Sequence, residues 1–126
     1  MRILLDTQAL ILAGQNALPI RSKKEFLNPA NEIFFSTVSL WEMAIKKLLG
    51  KLEFKSDFIT YTDLLIKEGL QLLPFAPNHI QDLSDLDWHH RDPFDRALIS
   101  QARCEQMAIM TNDSHFPKYG CHCLWD

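Results

Sequence analysis

The sequence predicts an α/β domain with a mainly parallel central sheet. Three observations carry that reading. Short apolar runs such as Ile3-Leu4-Leu5, Ile33-Phe34-Phe35 and Ala108–Thr111 have the length and continuity of buried strands. Longer segments with apolar residues at helical spacing lie between them, so strands and helices alternate. The chain has 126 residues, which at ~100–150 per domain makes residues 1–126 a single domain. Right-handed crossovers then place helices on both faces of the sheet.

Each element has a local reason. Strand Ile3–Leu5 stops at Asp6, and Thr7 is placed to cap a helix through Ala13 that Gly14 and Pro19 end. Ser22-Lys23-Lys24-Glu25 has the form of a capping box opening a short helix to Leu27. Glu32–Thr37 reads as the second strand. Ser39 and Glu42 repeat the capping-box pattern at the head of a helix, where Leu40, Ala44, Leu48 and Trp41, Ile45, Leu49 recur at helical spacing and Gly50 is the stop. Asp57–Glu68 is an amphipathic helix closed by Gly69, Leu70–Phe75 is strand-like, and Pro77–Leu86 is a short helix. Pro93 suits the first turn of a helix through Cys104. Ala108–Thr111 and Cys121–Trp125 complete the strands.

Composition narrows the function classes. Hydrophobic residues make up 47% and charged residues 23%, an ordinary globular balance. No apolar run approaches the ~18–20 residues of a membrane span, and Asp6 interrupts the N-terminal run, so no signal peptide and a cytoplasmic location are expected. The net charge of −3 argues against a simple cationic nucleic-acid binder. That charge is uneven: residues 1–55 are net basic, and the remainder carries eleven Asp/Glu against five Lys/Arg. Three cysteines, an odd number, argue for reduced structural thiols, and Cys121-His122-Cys123 lacks the second ligand pair of a zinc finger.

The acids fall where α/β proteins bind ligands, beyond the carboxyl ends of the strands. Asp6 follows the first strand directly, and Asp113 lies two residues past Ala108–Thr111. Glu42 is expected in the first turn of the helix after the second strand, and Asp92 and Asp95 flank Pro93 at another helix start. Carboxylates crowded on one rim repel unless cations fill the gap, and oxygen ligands suit Mg²⁺ or Mn²⁺, as one ion or two. Such a site can activate water for displacement at a phosphodiester. Taken singly, each acid reads more readily as a turn residue or a helix cap; the joint placement on one rim is what points to a site.

Four blocks carry a family resemblance: Leu4-Leu5-Asp6-Thr7-Gln8-Ala9-Leu10, Ser36-Thr37-Val38-Ser39-Leu40-Trp41-Glu42-Met43-Ala44-Ile45-Lys46, Arg91-Asp92-Pro93-Phe94-Asp95-Arg96-Ala97-Leu98-Ile99-Ser100-Gln101-Ala102 and Met110-Thr111-Asn112-Asp113. Together they resemble a PIN-domain ribonuclease of the VapC toxin type over nearly the whole chain. The resemblance implies a three-layer α/β/α PIN-like domain, an Mg²⁺- or Mn²⁺-dependent endoribonuclease, an RNA substrate, a cognate antitoxin of a type II toxin–antitoxin pair, and a homodimer. It assigns catalysis and metal binding to Asp6, Glu42, Asp95 and Asp113, with Asp92 as an accessory acid. Two positions depart from the pattern: Gln8 stands where many relatives have His, and Ala13-Gly14 lacks the usual Trp.

Other residues complete the expectation. Thr7, Thr111 and Asn112 are candidates to hydrogen-bond the acids or merely to cap turns. Lys46, one helical turn after Glu42, is either an RNA contact or an intrahelical ion pair. Lys47, Lys51 and Lys55 extend a basic patch, and Arg91 and Arg96 are candidates for phosphate contact, Arg96 alternatively for neutralising the acids. His89-His90 reads as surface or substrate contact, the two rings pointing apart. Apolar Trp41, Ile45, Leu48, Leu49, Phe54 and Phe58 exceed one helix stripe, so part of the set is expected to be exposed for an antitoxin helix or a second copy. Two readings compete with the ribonuclease: a structure-specific DNA nuclease using the same acids, and a binding module whose acids hold a structural ion.

Overall fold

A computed structural model describes residues 1–126. Five strands form one sheet: β1 (Arg2–Leu5), β2 (Glu32–Ser36), β3 (Gln71–Leu73), β4 (Ala108–Met110) and β5 (Cys123–Leu124). Their order is β3-β2-β1-β4-β5, and every adjacent pair is parallel. The helices are α1 (Thr7–Gly14), α2 (Ile20–Leu27), α3 (Thr37–Leu48), α4 (Phe58–Lys67), α5 (Pro77–Ser84) and α6 (Pro93–Glu105), with a 3-10 turn at Phe116–Tyr119. Strands alternating with helices thus close into the expected α/β/α architecture, with a sheet that is wholly parallel.

The strand period of two separates two cores. Ile3, Leu5, Ile33, Phe35 and Met110 face one layer, where they meet Ala9 and Leu10 of α1, Met43 of α3 and Leu65 of α4. Leu4, Phe34 and Ile109 face the other, against Ala97, Leu98 and Ile99 of α6 and Phe116 and Tyr119 of the 3-10 turn. Such double burial explains why the strands read as unbroken apolar runs. Phe35 is fully buried at the sheet centre, and its truncation to Ala costs about 3–5 kcal/mol.

The chain order fixes where a ligand belongs. From β1 it moves outward to β2 and β3, then crosses back to β4 on the opposite side of β1. The crevice above β1 and β4 is therefore the topological switch point.

Three helix starts differ from expectation. Asp6, not Thr7, caps α1, accepting from the Ala9 amide at 2.7 Å. Pro19 precedes α2 without a side-chain cap, and Ser22 is instead buried within the helix, so its capping box does not form. Ser36 caps α3 by accepting from Val38 N–H at 3.0 Å, which leaves Ser39 inside the helix and Glu42 in the second turn rather than the first. In each of the two post-strand cases the last extended residue serves directly as cap, so the helix begins earlier than a separate cap residue would allow. The stops are as expected: Gly50 and Gly69 adopt φ +73° and +100°, the left-handed backbone that favours glycine. The expected strands Leu70–Phe75 and Cys121–Trp125 shorten to Gln71–Leu73 and Cys123–Leu124. The three cysteines are free thiols, and no helix is long and apolar enough to cross a membrane.

Candidate active site

A cavity of about 320 Å³ opens at the switch point, lined by Asp6, Thr7, Gln8, Glu42, Lys46, Asp92, Asp95, Asn112 and Asp113, with no hydrophobic residue among them. Four elements supply its acids. Asp6 leaves β1, with its own amide donating to Met110 O of β4 at 3.1 Å. Asp113 follows β4, Glu42 projects from α3, and Asp92 and Asp95 come from the head of α6. Because α6 leads into a parallel strand, its N-terminus lies at the carboxyl edge of the sheet.

Asp6 is 6% exposed, and burial pushes its pKa up to about 6. Hydrogen bonds from Thr111 and the Ala9 amide oppose that rise, while the negative charges of Glu42 and Asp113 add to it. Glu42, equally buried, accepts from the Thr7 hydroxyl at 2.6 Å, and the Ser39 hydroxyl lies 3.0 Å from the same Thr7 oxygen. Its second oxygen meets Lys46 Nζ at 2.9 Å. Thus Lys46 makes the intrahelical pair, with its ammonium group still partly exposed at the cavity mouth.

Asp92 and Asp95 divide their work. Asp92 caps α6, accepting from the Phe94 and Asp95 amides at 2.9 and 3.1 Å. Asp95, one turn further in, keeps its carboxylate for the cavity. Burial pushes its pKa up to about 7, with further contributions from the charges of Asp92, Glu42 and Asp113, against a lowering hydrogen bond from His90.

Asp113 goes the other way. Burial raises its pKa, but the amide and ring of His115 and the charges of His90 and His115 outweigh that and leave it below the ordinary value. The His115 amide and Nδ1 reach one Asp113 oxygen at 2.8 and 2.9 Å. Thr111 accepts from the Asp113 amide at 3.0 Å, and the same side chain lowers the Asp6 pKa.

Sequence reasoning missed His90 and His115 as members of this site. His90 Nε2 lies 2.9 Å from Asp95 and 3.7 Å from Asp113, and its ring stacks on His115 at 4.2 Å between centroids. Nothing local announces the pair, since two loops 25 residues apart bring it together. His89 does point away, its ring edge-on to Tyr119.

Arg96 is the clear correction. It is 7% exposed and contacts no acid of the cavity. Its guanidinium donates to the carbonyls of Leu86 and Asp87 and to the Tyr119 hydroxyl, at 2.8–3.2 Å, and lies over the Trp88 ring. Its guanidinium is thus engaged away from the acids and does not pair with them. It fastens the loop before α6. Arg91 is exposed beside the cavity, in a neighbouring cleft, and Asn112 is exposed at the rim.

The donor set fits a hard divalent cation. The cavity offers carboxylate oxygens without sulfur, and two of the carboxyls hold protons towards neutral pH because burial leaves their charge uncompensated. Asp6, Glu42, Asp95 and Asp113 line the cavity and are the candidates to hold such an ion. The groups whose ligand atoms all lie within 4.8 Å of one another are His90 with Asp92 and Asp95, and His90 with Asp113 and His115.

A five-stranded parallel sheet in the order 3-2-1-4-5, with acids gathered over its switch point, defines an α/β domain with a polar, anionic ligand crevice. The model of the PIN domain family matches residues 3–120, and the chain belongs to that family. It shares its fold with chains in three solved complexes. VapBC2 from Rickettsia felis bound to a DNA fragment from its promoter aligns with a TM-score of 0.75 and 20% identity, covering 100% of both chains. DNA-bound VapBC from Salmonella typhimurium (0.68, 18%) and VapBC-1 from nontypeable Haemophilus influenzae (0.68, 15%) each cover 98% of this chain and 97% of theirs. No curated protein sequence matches the chain at a significant level.

Proposed function

We propose that the chain is a metal-dependent endoribonuclease, the toxin of a type II toxin–antitoxin pair. The observation that carries this reading is the convergence of Asp6, Glu42, Asp95 and Asp113, from four elements, on one cavity without an apolar wall. The chemistry supplied by Mg²⁺ or Mn²⁺ held there, as one ion or two, is water activation and stabilisation of charge on the leaving oxygen. The chain's own groups set up that chemistry. Thr7 and Lys46 fix both oxygens of Glu42, while Thr111 and His115 fix Asp113. Asp92 caps the helix that aims Asp95, in an accessory role. Gln8, Asn112 and Arg91 are exposed around the opening, where an RNA backbone would pass.

The antitoxin and homodimer readings rest on the fold neighbours, which are VapBC complexes, and on exposed apolar surface. Trp41, Leu48 and Leu49 of the α3 segment remain 58%, 85% and 61% exposed, whereas Phe54 and Phe58 pack against the core. The domain is proposed to act in the cytoplasm.

The test is sequencing of RNA 5′ ends after expression of the chain without a partner. New ends at defined sites, absent for Asp113→Asn, support the reading. Unchanged RNA with nicked or flap-trimmed DNA supports the structure-specific DNA nuclease, and no cleavage of either supports a binding module holding a structural ion.

A further inference from the structure

We infer that the cleft formed by Trp88, His89, His90, Arg91 and His115 is a binding subsite for one unpaired nucleotide of single-stranded RNA, next to the bond to be cut. This deepens the ribonuclease reading and rests on it. The cleft measures about 420 Å³ and has no acid in its lining. It shares a wall with the acidic cavity, because His90 touches Asp95 on one side and stacks on His115 on the other. A chain passing over the acids therefore meets this cleft next.

The floor is built rather than incidental. Trp88 is 68% exposed, yet its ring is not loose: the buried Arg96 guanidinium sits 4.4 Å from its centroid. Arg96 is in turn fixed by the Leu86 and Asp87 carbonyls and the Tyr119 hydroxyl, which also accepts from the His89 amide at 2.9 Å. A rigid aromatic ring with a cation behind it and solvent in front is a platform for base stacking. Exposed Arg91 at the rim suits the adjoining phosphate. Unpaired bases are what RNA offers for such stacking, since paired ones are sequestered in the helix.

The test measures binding and cleavage separately, using a fluorescein-labelled mixed-sequence 12-nucleotide RNA and the full chain. In chelator, Trp88→Ala should weaken binding roughly 5- to 150-fold, the range for losing one stacked base. Trp88→Phe should recover most of the affinity, and a 12-base-pair duplex RNA should not distinguish the variants. With Mn²⁺, Trp88→Ala should raise KM by a similar factor while kcat changes little. Wild-type affinity of folded Trp88→Ala for the single strand, or equal losses for single strand and duplex, would overturn the subsite while leaving the ribonuclease reading intact. Binding that depends on Trp88 without any cation-dependent cleavage would refute the nuclease, and with it the placing of the subsite next to a bond to be cut, while keeping the cleft as a single-strand binding site.

Discussion

Replacing Asp6 by Asn should stabilise the cation-free protein at neutral pH. The carboxyl is buried, and raising it from 3.8 to about 6 corresponds to about 3 kcal/mol of folding free energy lost once it ionises. The direction follows from linkage. Below its unfolded-state value Asp6 is protonated in both states and contributes no difference. As pH rises from about 4 to about 6 the unfolded chain releases its proton first, and stability falls; above about 6 the loss is complete. Asn removes the charge but keeps an oxygen to accept from the Ala9 amide, so the cap on α1 survives. In chelator at pH 7.5, Asp6→Asn should therefore be up to about 3 kcal/mol more stable than wild type, which is a melting temperature higher by up to roughly 11 °C for a domain of this size. At pH 4 the gap should shrink below about 1 kcal/mol. Thermal and urea unfolding at the two pH values provide the assay. A variant less stable than wild type at pH 7.5, or a gap independent of pH, would refute the reasoning that burial makes this acid a strained charge.

Four further outcomes follow from the same geometry. Millimolar Mg²⁺ or Mn²⁺ should raise the wild-type melting temperature, by about 2.7 kcal/mol of stability at one hundred times Kd, and should do much less for Asp6→Asn; calorimetric scans with and without chelator check this. Asp92→Ala should lose about 1 kcal/mol through the α6 cap, and Asp92→Ser should regain it with most of the activity, whereas Asp95→Asn should lose activity without losing stability and, like Asp6→Asn, should melt no lower than wild type in chelator above pH 7; paired melts and RNA assays decide. Thr7→Val strips the 2.6 Å hydrogen bond from buried Glu42 and should cost about 1–3 kcal/mol in urea unfolding. Arg96→Met abandons the Leu86 and Asp87 carbonyls and should cost about 1–3 kcal/mol, with Trp88 fluorescence changing as its ring is freed.

What the sequence revealed and what it hid have physical causes. Buried parallel strands must be apolar on both faces, so β1, β2 and β4 announce themselves, and an acid directly after such a strand is placed at the crevice by topology alone. Asp92 as cap and Asp95 as the inward acid also follow from local rules, because Pro93 fixes the first helical residue. Caps beside strands were less legible. Ser36 ends β2 and Asp6 directly follows β1, each capping the next helix without a linker, and a run such as Ser36-Thr37-Val38-Ser39 offers three plausible starts. Arg96 misled because adjacency in sequence is not adjacency on a helix. Its side chain leaves α6 about 100° around from Asp95 and points at the preceding loop. The His90–His115 stack lies beyond any local rule, since only the tertiary path of two loops creates it.

The most direct test of the central claim is cleavage of a single-stranded RNA by the purified chain across a Mn²⁺ titration, beside Asp6→Asn and Asp113→Asn. The account predicts that wild-type cleavage rises from nothing in chelator to saturation with Mn²⁺. It also predicts that both folded variants lose at least a hundredfold of the rate, since about 2.7 kcal/mol of transition-state stabilisation corresponds to that factor. Cation-independent cleavage, or wild-type rates from both variants, would contradict it.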